Sequence, residues 1–136
     1  MSNRDEHKIL IVDDDSFIRS TIRAVLRAIG RFNVQEAEDG DAGLVSVDSF
    51  RPDVVLCDVN MPHMGGLQFV ALLRAHPDTM IRATPVVMLT AHAEQATVAD
   101  AARLKISGYL IKPVSPQRLG ALLAKILRRQ TALPAS

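Results

Sequence analysis

The stretch Val54–Gly66 reads VVLCDVNMPHMGG: four apolar residues, one aspartate, then a loop rich in Pro, Met and Gly. VVLC has the length of a strand, and its lack of polar alternation predicts burial on both faces, as in a covered parallel sheet. Burying a carboxylate is costly unless something pairs with it. A strand that delivers Asp58 at its end therefore implies a partner for that charge just beyond the end.

Working outward, similar apolar runs recur at KILIV (8–12), NVQEA (33–37), DVVLC (53–57), PVVMLT (85–90) and GYLIK (108–112). NVQEA alternates and reads as an edge strand. Between the first two runs, Ile18, Ile22, Val25, Leu26 and Ile29 repeat at helical spacing, with Asp15 or Ser16 as N-cap and Gly30 as C-cap. Leu119, Leu122, Leu123, Ile126 and Leu127 form a second stripe, with Arg128 and Arg129 where the helix dipole favours cations. Further helices are predicted over roughly 40–50, 66–76 and 93–104. Five strands alternating with five helices predict an α/β fold, a parallel sheet with helices on both faces and right-handed crossovers.

The chain has 136 residues and a net charge of +1, which fits one domain and gives no electrostatic case for nucleic acid as the main ligand. MSNRDEHK lacks the apolar core of a secretory signal, and no run reaches membrane-span length, so no membrane partner is expected. Cys57 is the sole cysteine, excludes an internal disulfide and fits a reducing cytoplasm; its apolar neighbours make it a small buried hydrophobe. His7, His63, His76 and His92 show no metal-ligand spacing. The expected divisions are an extended or disordered 1–7, a domain over 8–130 and a tail over 131–136.

The informative residues are those at which the strands stop. The first run ends in Asp13, Asp14 and Asp15, the third in Asp58, the fourth in Thr90 and the fifth in Lys112. In a parallel sheet these ends share one edge, where open α/β sheets bind ligands. Adjacent carboxylates resist full ionisation together, and a hard cation such as Mg²⁺ (or Mn²⁺) relieves them. It would also draw a phosphoryl donor towards Asp58, whose carboxylate can attack phosphorus and form an acyl phosphate. Thr90 and Lys112 would each hold a phosphoryl oxygen.

The segments ILIVDDD, VVLCDVNMPHMGG, PVVMLTA and GYLIKPV, in this order and spacing, resemble the receiver domain of two-component response regulators, closest to the stand-alone chemotaxis type. The resemblance covers about Lys8 to Arg129. It implies a flavodoxin-like (βα)5 fold with strand order 2-1-3-4-5, the order known for the chemotaxis receiver. It also implies that Asp58 is the phosphoacceptor, that Asp14 ligates Mg²⁺ directly and Asp13 through water, and that the backbone carbonyl of Asn60 is a further ligand. Thr90, the Ala91 N–H and Lys112 would hold the phosphoryl group, with Lys112-Pro113 as a cis peptide aiming the lysine. Tyr109 would move inward when Thr90 engages the phosphoryl group. The side chains of Asn60 and His92 would face the route by which water removes it. The implied partners are a histidine kinase or phosphotransfer protein, and a downstream effector meeting the 93–129 face. The chain would be a monomer, or a dimer on phosphorylation, and not a turnover enzyme on an external substrate.

Plainer readings stand beside several of these. Asp15 reads as a helix cap rather than a ligand, Gly65 and Gly66 as a tight turn rather than a phosphate cradle, and Met61 and Met64 as loop packing. Tyr109 alone would be a half-buried strand residue, and His92 an exposed loop histidine. Two other functions compete. One is a phosphate shuttle in a phosphorelay. The other is a haloacid-dehalogenase-like phosphohydrolase, for which Asp13 and Asp15 would supply D-x-D, but Phe17 departs from its pattern.

Overall fold

The computed structural model describes residues 6–92 and 98–131. Among them the strands are β1 (His7–Val12), β2 (Phe32–Ala37), β3 (Val54–Asp58), β4 (Val86–Thr90) and β5 (Gly108–Ile111). The helices are α1 (Ser16–Ile29), α2 (Gly40–Phe50), α3 (Gly66–Arg74), α4 (Thr79–Arg82), α5 (Val98–Leu104) and α6 (Pro116–Thr131). The strands form one parallel sheet in the order β2-β1-β3-β4-β5, the order that the family resemblance implies.

The apolar runs do what their lack of alternation predicts. Successive residues of β1, β3 and β4 point to opposite faces, and both faces are covered. Ile9, Ile11, Val54, Leu56, Val87 and Leu89 join α1 and α6 in one core layer. Leu10, Val12, Val55, Cys57, Val86 and Met88 join α2, α3 and α4 in the other. β2 is the edge strand expected from its alternation, with Gln35 and Glu36 exposed.

Several boundaries sharpen the sequence reading. Asp15, not Ser16, caps α1, accepting from the N–H groups of Phe17 (2.8 Å) and Ile18 (3.3 Å). Gly30 follows α1 in an extended conformation, its N–H returning to the Leu26 carbonyl. The helix expected over 66–76 stops at Arg74, and a separate turn, α4, follows, capped by Asp78. Four residues anchored by Ile81 alone carry too little periodicity to reveal themselves in sequence. Of the helix expected over 93–104, residues 93–97 lie outside the described residues, as do 1–5 and 132–136. No helix among the described residues is long and apolar enough to cross a membrane.

Candidate functional site

All five strands run the same way, so β1, β3, β4 and β5 release their last residues at one edge. Asp13 follows β1, Asp58 ends β3, Thr90 ends β4 and Lys112 follows β5. The Lys112 Nζ lies 3.0 Å from Asp13 Oδ2 and 2.9 Å from Asp58 Oδ1. This is the partner that the buried charge of Asp58 required. Asp13 is fully buried and Asp58 is 6% exposed. The second oxygen of Asp13 accepts from the Asp15 N–H at 2.9 Å.

One ammonium does not balance this edge. Oxygens of Asp13, Asp14 and Asp58 lie within 4.8 Å of one another. Burial pushes the Asp58 carboxyl above its usual pKa; the Lys112 hydrogen bond opposes this, and the charges of Asp13 and Asp14 add to it. For Lys112, burial works against the ammonium, but hydrogen bonds and charge from Asp58 and Asp13 outweigh it, so its pKa is raised. An all-oxygen donor set with excess negative charge, one member of which (Asp14) is exposed to solvent, fits a hard cation such as Mg²⁺.

The remaining residues are arranged around this cluster. Thr90 is buried, yet its hydroxyl is engaged within its own turn, donating to the His92 carbonyl (2.9 Å) and accepting from the His92 N–H (3.2 Å). Ala91 and His92 follow it, exposed, and Asn60 is exposed in the loop after β3. Tyr109 sits on β5 opposite Met88 and packs against the α2–α3 side of the core. Its hydroxyl is buried without a hydrogen-bond partner among the described residues. Burial, and then the charge of Asp100, raise its pKa. The Lys112-Pro113 peptide is cis.

Sequence reasoning missed one support of the cluster and misread the loop that follows β3. Arg19 donates from Nη1 to the Asp13 carbonyl at 2.6 Å and from Nε to Glu36 at 2.8 Å, tying the end of β1 to α1 and β2. Nothing in its helical position signals this. His63, not a glycine, takes the left-handed conformation in the loop after β3, with φ 68°. Neither Gly65 nor Gly66 has positive φ. Gly66 is needed for close approach instead: a Cβ there would collide with the carbonyl oxygen of Asp58. The tight-turn reading of the two glycines is thereby corrected.

Comparison with known proteins agrees with this geometry. Residues 9–124 match the family model of the response regulator receiver domain. The chain is 38% identical over 122 residues to the chemotaxis protein CheY of Pseudomonas aeruginosa, covering 90% of this chain and 97% of that one. It is equally similar over 122 residues to CheY-3 of Vibrio cholerae, covering 90% and 92%. Among solved structures, the chemotaxis response regulator CheY4 of Vibrio cholerae superposes with TM-score 0.77 at 32% identity, covering 89% of this chain and 98% of that one. A receiver domain protein from Clostridium thermocellum superposes with TM-score 0.80 at 26% identity, covering 93% and 98%. With a family match over most of its length and these relatives spanning nearly all of it, the chain belongs to the response regulator receiver domain family, as a signalling module of the two-component class.

Proposed function

We propose that Asp58 is the phosphoacceptor of this receiver. The observation that carries it is the Lys112 ammonium bridging Asp58 and Asp13 at the C-terminal edge of the sheet. The Asp58 carboxylate attacks the phosphorus of a phosphohistidine on a kinase or phosphotransfer protein. A P–O bond forms, the P–N bond breaks, and the imidazole leaves with the electron pair. Asp14, Asp58 and the Asn60 carbonyl, with Asp13 through water, would hold a Mg²⁺ or Mn²⁺, which would supply neutralisation of negative charge at this edge. Lys112, already aimed at Asp58, pairs with one phosphoryl oxygen. Thr90 exchanges its His92 carbonyl for another, beside the Ala91 N–H. Water attack at phosphorus returns Asp58 and releases phosphate; the side chains of Asn60 and His92 tune that step.

The Tyr109 hydroxyl is already buried while Thr90 is bound to its own turn, without a hydrogen-bond partner among the described residues and at a cost of about 1–3 kcal/mol. The inward position is therefore reached before Thr90 engages a phosphoryl group, and that engagement would hold Tyr109 there rather than drive it in. Phosphorylation thus biases two conformations of the 93–129 face, to which a downstream protein binds. The working form is a cytoplasmic monomer that can pair on phosphorylation. The chain catalyses its own phosphorylation and dephosphorylation without turning over an external substrate. A hydrolase using Asp13 as nucleophile is disfavoured, since both Asp13 oxygens are already engaged by Lys112 and the Asp15 N–H.

Incubation with Mg²⁺ and acetyl phosphate, followed by mass spectrometry of borohydride-trapped peptides, tests the assignment. Label on the peptide carrying Asp58, absent in Asp58→Asn, is expected. Label on Asp13 would overturn it.

A further inference from the structure

Asp13 is bonded at every polar atom it has. Its N–H donates to the Ala37 carbonyl at 3.1 Å, and its carbonyl accepts from Arg19 Nη1 at 2.6 Å. Its two carboxylate oxygens accept from the Asp15 N–H at 2.9 Å and the Lys112 ammonium at 3.0 Å. Asp14 is the next residue, exposed to solvent, with an oxygen in the same carboxylate cluster. Two of these four bonds also act on Asp14. The peptide units on either side of a residue are planar, so only φ and ψ set where its side chain points. The unit before Asp14 carries the Asp13 carbonyl, which Arg19 holds, and the unit after it carries the Asp15 N–H, which Asp13 Oδ1 holds. With both planes held, φ and ψ of Asp14 have little play, and its carboxylate keeps its place in the cluster.

Arg19 is itself anchored. Its N–H bonds the Asp15 carbonyl at 3.1 Å, so it reaches the chain on both sides of Asp14, and its Nε lies 2.8 Å from Glu36 Oε1 on β2. Arg23, one turn further along α1, makes a matching 2.8 Å contact with Glu36 Oε2. Its Nη2, however, donates to the Val34 carbonyl and not to the cluster. The two arginines thus share a carboxylate and differ in what the rest of the guanidinium holds.

We propose that Arg19 is a positioning residue for the divalent cation, setting its affinity by holding the peptide that aims Asp14. This rests on the reading of the acidic edge as a Mg²⁺ or Mn²⁺ site. The direction of the effect separates positioning from plain charge. A guanidinium beside a cation site repels the cation, so its removal would tighten binding if charge alone mattered. Removal of a group that orients a ligand weakens binding instead, by about tenfold or more.

Titration with Mn²⁺, counting the unbound ion by its electron paramagnetic resonance signal, tests this. Arg19→Met binds Mn²⁺ about tenfold more weakly than the unmutated chain. Arg23→Met, which removes the same charge and the same kind of contact with Glu36, binds as the unmutated chain does. Phosphorylation by acetyl phosphate separates affinity from chemistry: Arg19→Met needs about tenfold more Mg²⁺ to reach half its maximal rate, and the maximal rate is kept. A measurement on the unmutated chain guards against a misfolded variant: on addition of Mg²⁺ the Nε–H resonance of Arg19 shifts and that of Arg23 does not. Mn²⁺ binding by Arg19→Met as tight as that of the unmutated chain, or tighter, overturns the proposal. So does equal weakening in Arg23→Met, or an Arg19 Nε–H resonance that Mg²⁺ leaves in place. An unmutated chain that binds no Mn²⁺ overturns the cation site itself, and this proposal with it.

Discussion

At the scale of single residues, the pocket is held by contacts that leave little freedom. Lys112 is the sole ammonium ion-paired with Asp13 and Asp58 among the described residues, so removing it leaves two buried carboxylates facing each other. Lys112→Met should cost about 3–5 kcal/mol in urea unfolding without added metal, because an uncompensated buried charge is worse than no pair at all. Added Mg²⁺ should restore part of the loss. Gly66→Ala should cost about 1–3 kcal/mol by overpacking, since the new methyl can only displace the backbone that presents Asp58. Its phosphorylation rate should fall as well, by more than in a surface variant of equal stability. The strand-end residues were legible because an apolar run ending in a charge is unusual. The role of Gly66 was not, because a glycine needed for close approach looks the same in sequence as one needed for a turn.

At the scale of elements, α1 holds the edge strand through Glu36. Arg19 and Arg23 each place Nε 2.8 Å from one of its oxygens. Arg23 also donates to the Val34 carbonyl at 3.3 Å. The Asp13 N–H bonds the Ala37 carbonyl, so the Val34 carbonyl, on the other phase of the strand, faces away from β1. Arg23 therefore covers part of an edge that would otherwise be open to another strand. The Arg23 hydrogen bond, aided by Arg19 and opposed by burial, lowers the Glu36 pKa below its usual 4.5. With the folded-state pKa depressed, the unfolded chain binds the extra proton, so this stabilisation is full above about pH 4.5 and is lost as pH falls through the lowered value. Glu36→Gln should lose about 1 kcal/mol at pH 7 and almost nothing near pH 2, measured by paired denaturant titrations. The alternation that marks β2 as an edge is readable in sequence. The two arginines that close it come from a helix stripe that appears merely solvated.

At the scale of the molecule, Arg74 joins segments distant in sequence. Its guanidinium donates to the carbonyls of Leu104 (2.8 Å), Arg82 (2.9 Å), Thr84 (2.7 Å) and Lys105 (3.2 Å). Burial lowers its pKa, but guanidinium remains charged throughout the working range. It thus meets the end of α4, the approach to β4 and the carbonyl end of α5, where a cation is favoured by the helix dipole. Arg74→Met should cost on the order of 2–4 kcal/mol. Amide exchange should rise in Val98–Leu104 and at Ile106 and Ser107, while the amides of β1 and β3 keep their protection up to the new global stability. Uniform acceleration across the sheet would argue against a local tie. The acidic end of the sheet also belongs to this scale, since it gathers residues from several connections.

The chain order of apolar runs and helical stripes determined the parallel α/β architecture by itself. Local periodicity dictates which faces must be buried, and few topologies bury them all. The polar residues closing those runs likewise marked Asp13, Asp14, Asp58, Thr90 and Lys112 as neighbours, because parallel strands end at one edge. Only the tertiary structure decided how they meet. It placed Lys112 between two carboxylates, closed the Thr90 hydroxyl onto its own turn and left the Tyr109 hydroxyl buried without a partner among the described residues. These are rotamer and packing choices, set by atoms brought together from across the chain rather than by any neighbour in sequence.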